Sequence, residues 1–282
     1  MPVIDIAREW ELSQRTPFEP PSRRAFFGVS ALLFAASAAM VILWCGSMSA
    51  SGMPMPGDWA MSMTWMRMPG QSWLGAAASF IGMWVAMMVA MMLPSLVPML
   101  WRFRQAVGAI AGARLDRLTA LVGLGYFCVW AAVGMAAFPL GAALAAIEMR
   151  HPALARAMPV AAGAVVVIAG VLQFTPWKSY HLACCRQSPA HPGRSPANAG
   201  AAWRLGVRLG LHCSHCCAGP TAILLVIGCM DLRAMGIVMA GITAERLAPA
   251  GQRVARAIGA IAAGTGLLLI ALAVGLGGPA QP

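Results

Sequence analysis

The chain has 282 residues, of which 60% are hydrophobic and only 10% charged, with a formal net charge of +11. A soluble domain of this length carries about a quarter charged residues, so a water-soluble globular fold is excluded. The arginines stand at the ends of apolar runs, which fits membrane anchoring and orientation and argues against nucleic acid as a partner.

Residues 1–24 mix charges with Pro17, Pro20 and Pro21 and read as a loosely ordered cytoplasmic tail. The apolar run 25–45 follows Arg23 and Arg24. It is too long for a cleaved signal core, and bulky Met48 stands where a small residue is expected, so it reads as a retained first span over about 26–46. A Met-rich outer loop, 47–73, comes next, with Met53, Met55, Met61, Met63, Met66 and Met68 among Trp59, Trp65 and Trp73. The second span, about 74–93, is expected to stop or kink at Pro94 and Pro98. The third covers about 119–140 and the fourth about 158–175. A polar segment from Lys178 to Arg208 follows, its Pro189, Pro192 and Pro196 marking a flexible connection.

The stretch 209–243 reads either as one span or as two helices turning at Met230 and Asp231. One span would hold Asp231 and Arg233 near mid-membrane, which costs several kcal/mol without partners. Two helices let Asp231 cap the second. They also keep Arg246, Arg253 and Arg256 on the cytoplasmic side with most of the other basic residues. The last span is about 257–277. An all-α, polytopic transmembrane helical bundle of six to seven spans results, a single domain over 25–282 with its N-terminus in the cytoplasm. A helix crosses about 30 Å of hydrocarbon with about 20 apolar residues, and none of these runs shows the alternation of a barrel.

Most of the eight cysteines stand in two short segments within 178–217, which favours a metal or thiol site over structural disulfides. In Leu211-His212-Cys213-Ser214-His215-Cys216-Cys217, helical spacing turns Cys213, Cys216 and Cys217 to one side. His181-Leu182-Ala183-Cys184-Cys185 lies upstream, on the same membrane face in this topology. Thiolate and imidazole are ligands of copper(I) first and of zinc as the alternative. On the second span Met83, Met87 and Met91 recur every four residues, with Met88 and Met92 beside them. Thioethers also suit copper(I), although methionine fills gaps between helices just as well. The candidate metal ligands are therefore His181, Cys185, Cys213, Cys216, Cys217, Met83, Met87 and Met91. Glu245 and Arg246 read as a pair closing a short helix at the cytoplasmic surface. There is no phosphate-binding GxxxxGK[ST] loop, no Ser-His-Asp set and no HExxH, so no catalytic or organic-cofactor residue is assigned.

The chain resembles a bacterial family of predicted metal-binding integral membrane proteins, domain of unknown function 2182. The likeness rests on Met83-Trp84-Val85-Ala86-Met87-Met88-Val89-Ala90-Met91-Met92-Leu93-Pro94, on Gln173, Pro176, Lys178, Cys185, Arg186 and Pro189, and on Gly206, Gly210, Cys213, Cys216 and Cys217. Gly228, Leu232 and Glu245 extend it. Where many members carry a cysteine after the Pro-x-Lys element this chain has His181, an exchange that keeps a metal ligand. His215 and Ala218 replace Gly and Trp near the paired cysteines. The expected function is copper or zinc handling, by transport or delivery, in the bacterial inner membrane. The expected partners are the lipid bilayer, a cytoplasmic metal acceptor and further copies of the chain in a homo-oligomer. The alternatives are a membrane thiol-disulfide oxidoreductase using Cys213 and Cys216, or a scaffold subunit.

Overall fold

The computed structural model describes residues 20–49, 70–107, 112–186, 198–228 and 231–276. The tail before Pro20 and nearly all of the Met-rich loop lie outside the described residues, as do Pro189, His191 and Cys229. Every regular element among the described residues is helical: α1 (Pro20–Ser49), α2 (Trp73–Val107), α3 (Gly112–Arg150), α4 (Pro152–Leu172), α5 (Pro176–Arg186), α6 (Ala199–Cys216), α7 (Ala218–Ile227), α8 (Leu232–Leu247) and α9 (Gly251–Leu276). In hydrocarbon a helix satisfies its backbone within the segment, so uninterrupted runs of Ala, Leu, Val and Met settle into this form.

Four helices, α1, α2, α3 and α9, are long and apolar enough to cross a bilayer, and the bent pairs α4–α5 and α6–α7 bring the number to six if each is one crossing. The bends are 66° and 61°. The sixteen-residue α8 spans only about 24 Å at 1.5 Å per residue. Pro94 and Pro98 do not end the second span, because α2 continues through both to Val107. Of the polar segment after the fourth span, 178–186 belongs to α5 and 199–208 to α6, while the expected flexible connection at Pro189, Pro192 and Pro196 lies outside the described residues. α7 ends at Ile227 and α8 starts at Leu232, capped by the Asp231 carboxylate, which accepts from the backbone of Arg233 (2.8 Å) and Ala234 (3.2 Å), while Met230 of the expected turn lies outside the described residues.

Named contacts fix the helix directions. Phe26 meets Trp101, so α1 and α2 are antiparallel. Trp84 packs near Trp130, Phe80 on Phe138 and Arg104 on Asp116, so α2 and α3 are antiparallel too. Gly206 sits against Val122, and Gly210 against Tyr126 and Val129, so α3 and α6 run parallel. Gly163 faces Gly266 and Ile270 while Gly170 faces Gly259 and Ala263, which makes α4 and α9 antiparallel. A Cβ on Gly206 would collide with the Val122 backbone, and one on Gly170 would meet the α9 backbone at 2.6 Å. Small residues let these helices approach backbone to backbone, as apolar helices in lipid require. α4 descends beside α3 until Lys178, just past its end, reaches Cys216 of α6. By these directions, α1 starts and α9 finishes at opposite ends of the bundle.

The core lies between α2, α3 and α6. Trp84 is fully buried, donates its indole N–H to the Trp130 carbonyl (2.8 Å) and covers Gly134. Met83, Met87, Met88, Met91 and Met92 are all buried on α2. By contrast, α1 and α9 present Leu32, Leu33, Leu43, Ile261, Leu267 and Leu268 outward, an apolar rim suited to lipid.

Candidate metal centre

Two prolines shape the centre. A proline has no N–H, so the carbonyl four residues before it loses its helical donor. Pro176 leaves the Leu172 carbonyl in this position, and the Thr175 hydroxyl takes it at 2.7 Å, at the α4–α5 bend. Pro220 does the same to the Cys216 carbonyl at the α6–α7 bend. There the donor comes from another helix, the Lys178 ammonium, at 2.8 Å. Cys217 is the junction residue, and its N–H closes the last turn of α6 on the Cys213 carbonyl at 2.8 Å. The break therefore gathers three cysteines where α5, α6 and α8 converge on α2.

Cys213 is wholly buried, its Sγ lying 4.0 Å from Cys217 Sγ and 3.9 Å from the Met92 thioether. The Tyr126 hydroxyl lies 2.8 Å from the same sulfur. Cys216 is also buried, and Cys185 lies near Cys217, one Arg246 nitrogen reaching the two sulfurs at 3.6 and 3.8 Å. Three ligands around one ion at about 2.3 Å each would stand about 4.0 Å apart, the spacing Cys213 shows to both Cys217 and Met92. Two thiols and a thioether form a soft donor set, which selects copper(I) over hard cations. All seven described cysteines are free thiols. Among the described residues no three His, Cys, Asp or Glu side chains stand close enough to hold an ion, and the third sulfur near Cys213 is that of Met92.

Over residues 81–269 the chain matches the family described as PpoB2, copper chaperone. The chain belongs to that family. The match runs from α2, just ahead of Met83, into α9, and takes in Met92, Cys185, Cys213, Cys216 and Cys217. The motif resemblance implied metal without naming one, whereas the PpoB2 match makes the family copper-related. No curated protein and no solved structure matches the chain.

The remaining candidate ligands in this PpoB2 member are placed as follows. Met83, Met87 and Met91 line the buried side of α2, but the thioether that touches a cysteine is that of Met92. His181 joins other rings. Its Nδ1 is 3.2 Å from that of His212, and it stacks on His215 at 4.9 Å and 12°, with Trp177 and Tyr180 edge-on. The imidazoles thus form a group of their own beside the thiols.

Glu245 and Arg246 are not a surface pair. Glu245 is 1% exposed and accepts from Lys178 at 2.7 Å, in a bridge whose side chains are 4% and 2% exposed. Arg246 points inward, with Nη2 at 3.6 Å from Cys185 Sγ and 3.8 Å from Cys217 Sγ, and Nη1 donates to Ser95 Oγ at 3.0 Å. Sequence reasoning missed Met92, Tyr126, Lys178 and the inward Arg246. A signal existed for two of them. Met88 and Met92 share the four-residue spacing of the assigned stripe, and Lys178 stands within an apolar helix pair, where an ionisable residue is functional by default.

Proposed function

We propose that this protein holds one copper(I) ion between Cys213, Cys217 and Met92 and hands it on across or at the bacterial inner membrane, with its N-terminus in the cytoplasm. The observation that carries the reading is the pair of 4.0 and 3.9 Å sulfur separations around Cys213. Charge supports it. Two thiolates and copper(I) sum to −1, which the Arg246 guanidinium beside Cys217 balances, while Lys178 and Glu245 cancel each other. Zinc in the same place would leave an excess positive charge in a medium that penalises it. Cys216 and Cys185 lie alongside as partners for onward exchange. The Met-rich outer loop would offer weaker thioether capture before the thiols, since thiolates are charged and better donors.

The test is copper(I) titration of purified protein against a competing chromophoric chelator. The expected result is one copper per chain in wild type, and an affinity lowered about tenfold or more in Met92→Leu, which keeps the apolar volume. Equal affinities in the two proteins would remove Met92 from the ligand set.

A further inference from the structure

Where does copper enter or leave a site whose sulfurs are sealed? Cys213, Cys216 and Cys217 are all at most 2% exposed, whereas Cys185 is partly exposed. A cavity of about 100 Å³ opens between the ends of α2, α5 and α8, lined by Ser95, Met99, Arg102, Cys185, Arg186 and Arg246 among others. Of the described cysteines, Cys185 alone lines it. Three arginines share that wall and no carboxylate does. Two of the three have structural duties. Arg186 donates to the carbonyls of Glu245 (2.9 Å) and Pro249 (3.1 Å), and Arg246 reaches the thiols. Arg102 is exposed at the mouth.

We infer that this mouth is a docking site for a small anionic thiol carrying copper(I), and that Cys185 is the sulfur through which the ion is exchanged. The inference rests on the copper reading above. About 100 Å³ takes a thiolate tip and its methylene, while carboxylates on the rest of the carrier would meet the arginines outside. The exchange is a ligand substitution without redox change. A bond from copper(I) to the Cys185 sulfur forms as the bond to the carrier sulfur breaks, and the Cys185 thiol proton goes to the departing carrier thiolate. Arg246 touches Cys185 and Cys217 with the same nitrogen, so a copper ion on Cys185 stands beside the inner site. The reverse sequence unloads it. The arginines raise the encounter rate with an anion and lower it with a cation.

The experiment follows the rate of copper loading into full-length protein from two donors, the anionic copper(I)–glutathione complex and the cationic copper(I)–acetonitrile complex. Cys185→Ser should slow loading from the glutathione complex about tenfold or more. Arg102→Glu, at an exposed position, should slow the same donor about tenfold at low salt and less at high salt, and should leave the rate from the cationic acetonitrile complex no slower than in wild type. Loading of Cys185→Ser from glutathione at the wild-type rate overturns the inference, as does equal slowing of both donors in Arg102→Glu. Wild-type protein that takes copper from neither donor overturns instead the copper reading on which the inference stands.

Discussion

Lys178→Met is expected to destabilise the fold by about 3–5 kcal/mol, the usual cost of leaving one member of a buried ion pair without the other. The substitution strands the Glu245 carboxylate, which is 1% exposed, away from water and without its cation. It also removes the only donor named for the Cys216 carbonyl, the group orphaned by Pro220 at the helix break. Two effects can be separated by a second variant. Lys178→Met combined with Glu245→Leu buries no charge, so it should recover most of the loss and retain about 1–3 kcal/mol for the unsatisfied carbonyl. Thermal melting of the detergent-solubilised protein reads both. A Lys178→Met protein that melts with wild type would mean that this pair neither holds α5 to α8 nor supports the bend that gathers the cysteines.

Cys213→Ser with Cys217→Ser should abolish stoichiometric copper binding while leaving the protein folded. The two sulfurs supply both anionic donors of the site, 4.0 Å apart. A neutral hydroxyl is a hard, weak ligand for copper(I). Folding should survive because serine is close in volume and its hydroxyl can keep Tyr126 partnered, as the thiol does now at 2.8 Å. Metal analysis after gel filtration, with helix content from circular dichroism, gives the two readouts independently. Copper retained at one ion per chain in a folded double variant would show that the ligands lie elsewhere.

Much of the fold was legible because lipid imposes one secondary structure on any long apolar run. The Asp231 cap was legible for a local reason, since a carboxylate before a short apolar helix has few other uses there. Prolines were the harder signal. Pro94 and Pro98 lie inside a helix that continues, while Pro176 and Pro220 stand at the two bends. For Cys216 the donor is Lys178, 38 residues away in the chain, which no local window reveals. The polar stretch from Lys178 to Arg208 read as a flexible connection because of Pro189, Pro192 and Pro196, which lie outside the described residues. Gly206 near its end and Gly210 just beyond it press α6 onto α3.

The candidate site was legible in chemistry and less so in geometry. The two thiol segments do come together, since one Arg246 nitrogen reaches Cys185 at 3.6 Å and Cys217 at 3.8 Å. Helical periodicity cannot choose between the two methionine stripes, because Met87 with Met91 and Met88 with Met92 have identical spacing. The choice depends on which side of α2 meets α6, and there Met92 faces Cys213 at 3.9 Å. Glu245 and Arg246 misled for the same reason as Lys178. Adjacent opposite charges near a helix end look like a surface pair, yet their partners come from α5 and the α6–α7 junction, 67 residues away for Lys178 and 29 for Cys217.

The central claim is that copper(I) is held by sulfur alone, two thiolates and one thioether, at the helix break. X-ray absorption at the copper edge, on full-length protein loaded with one equivalent of copper(I), tests it most directly. The account predicts a three-coordinate copper(I) edge and a first shell of three sulfurs at about 2.2–2.3 Å. A first shell containing imidazole nitrogen, with the outer-ring scattering of histidine, would contradict it and move the ion to the group formed by His181, His212 and His215.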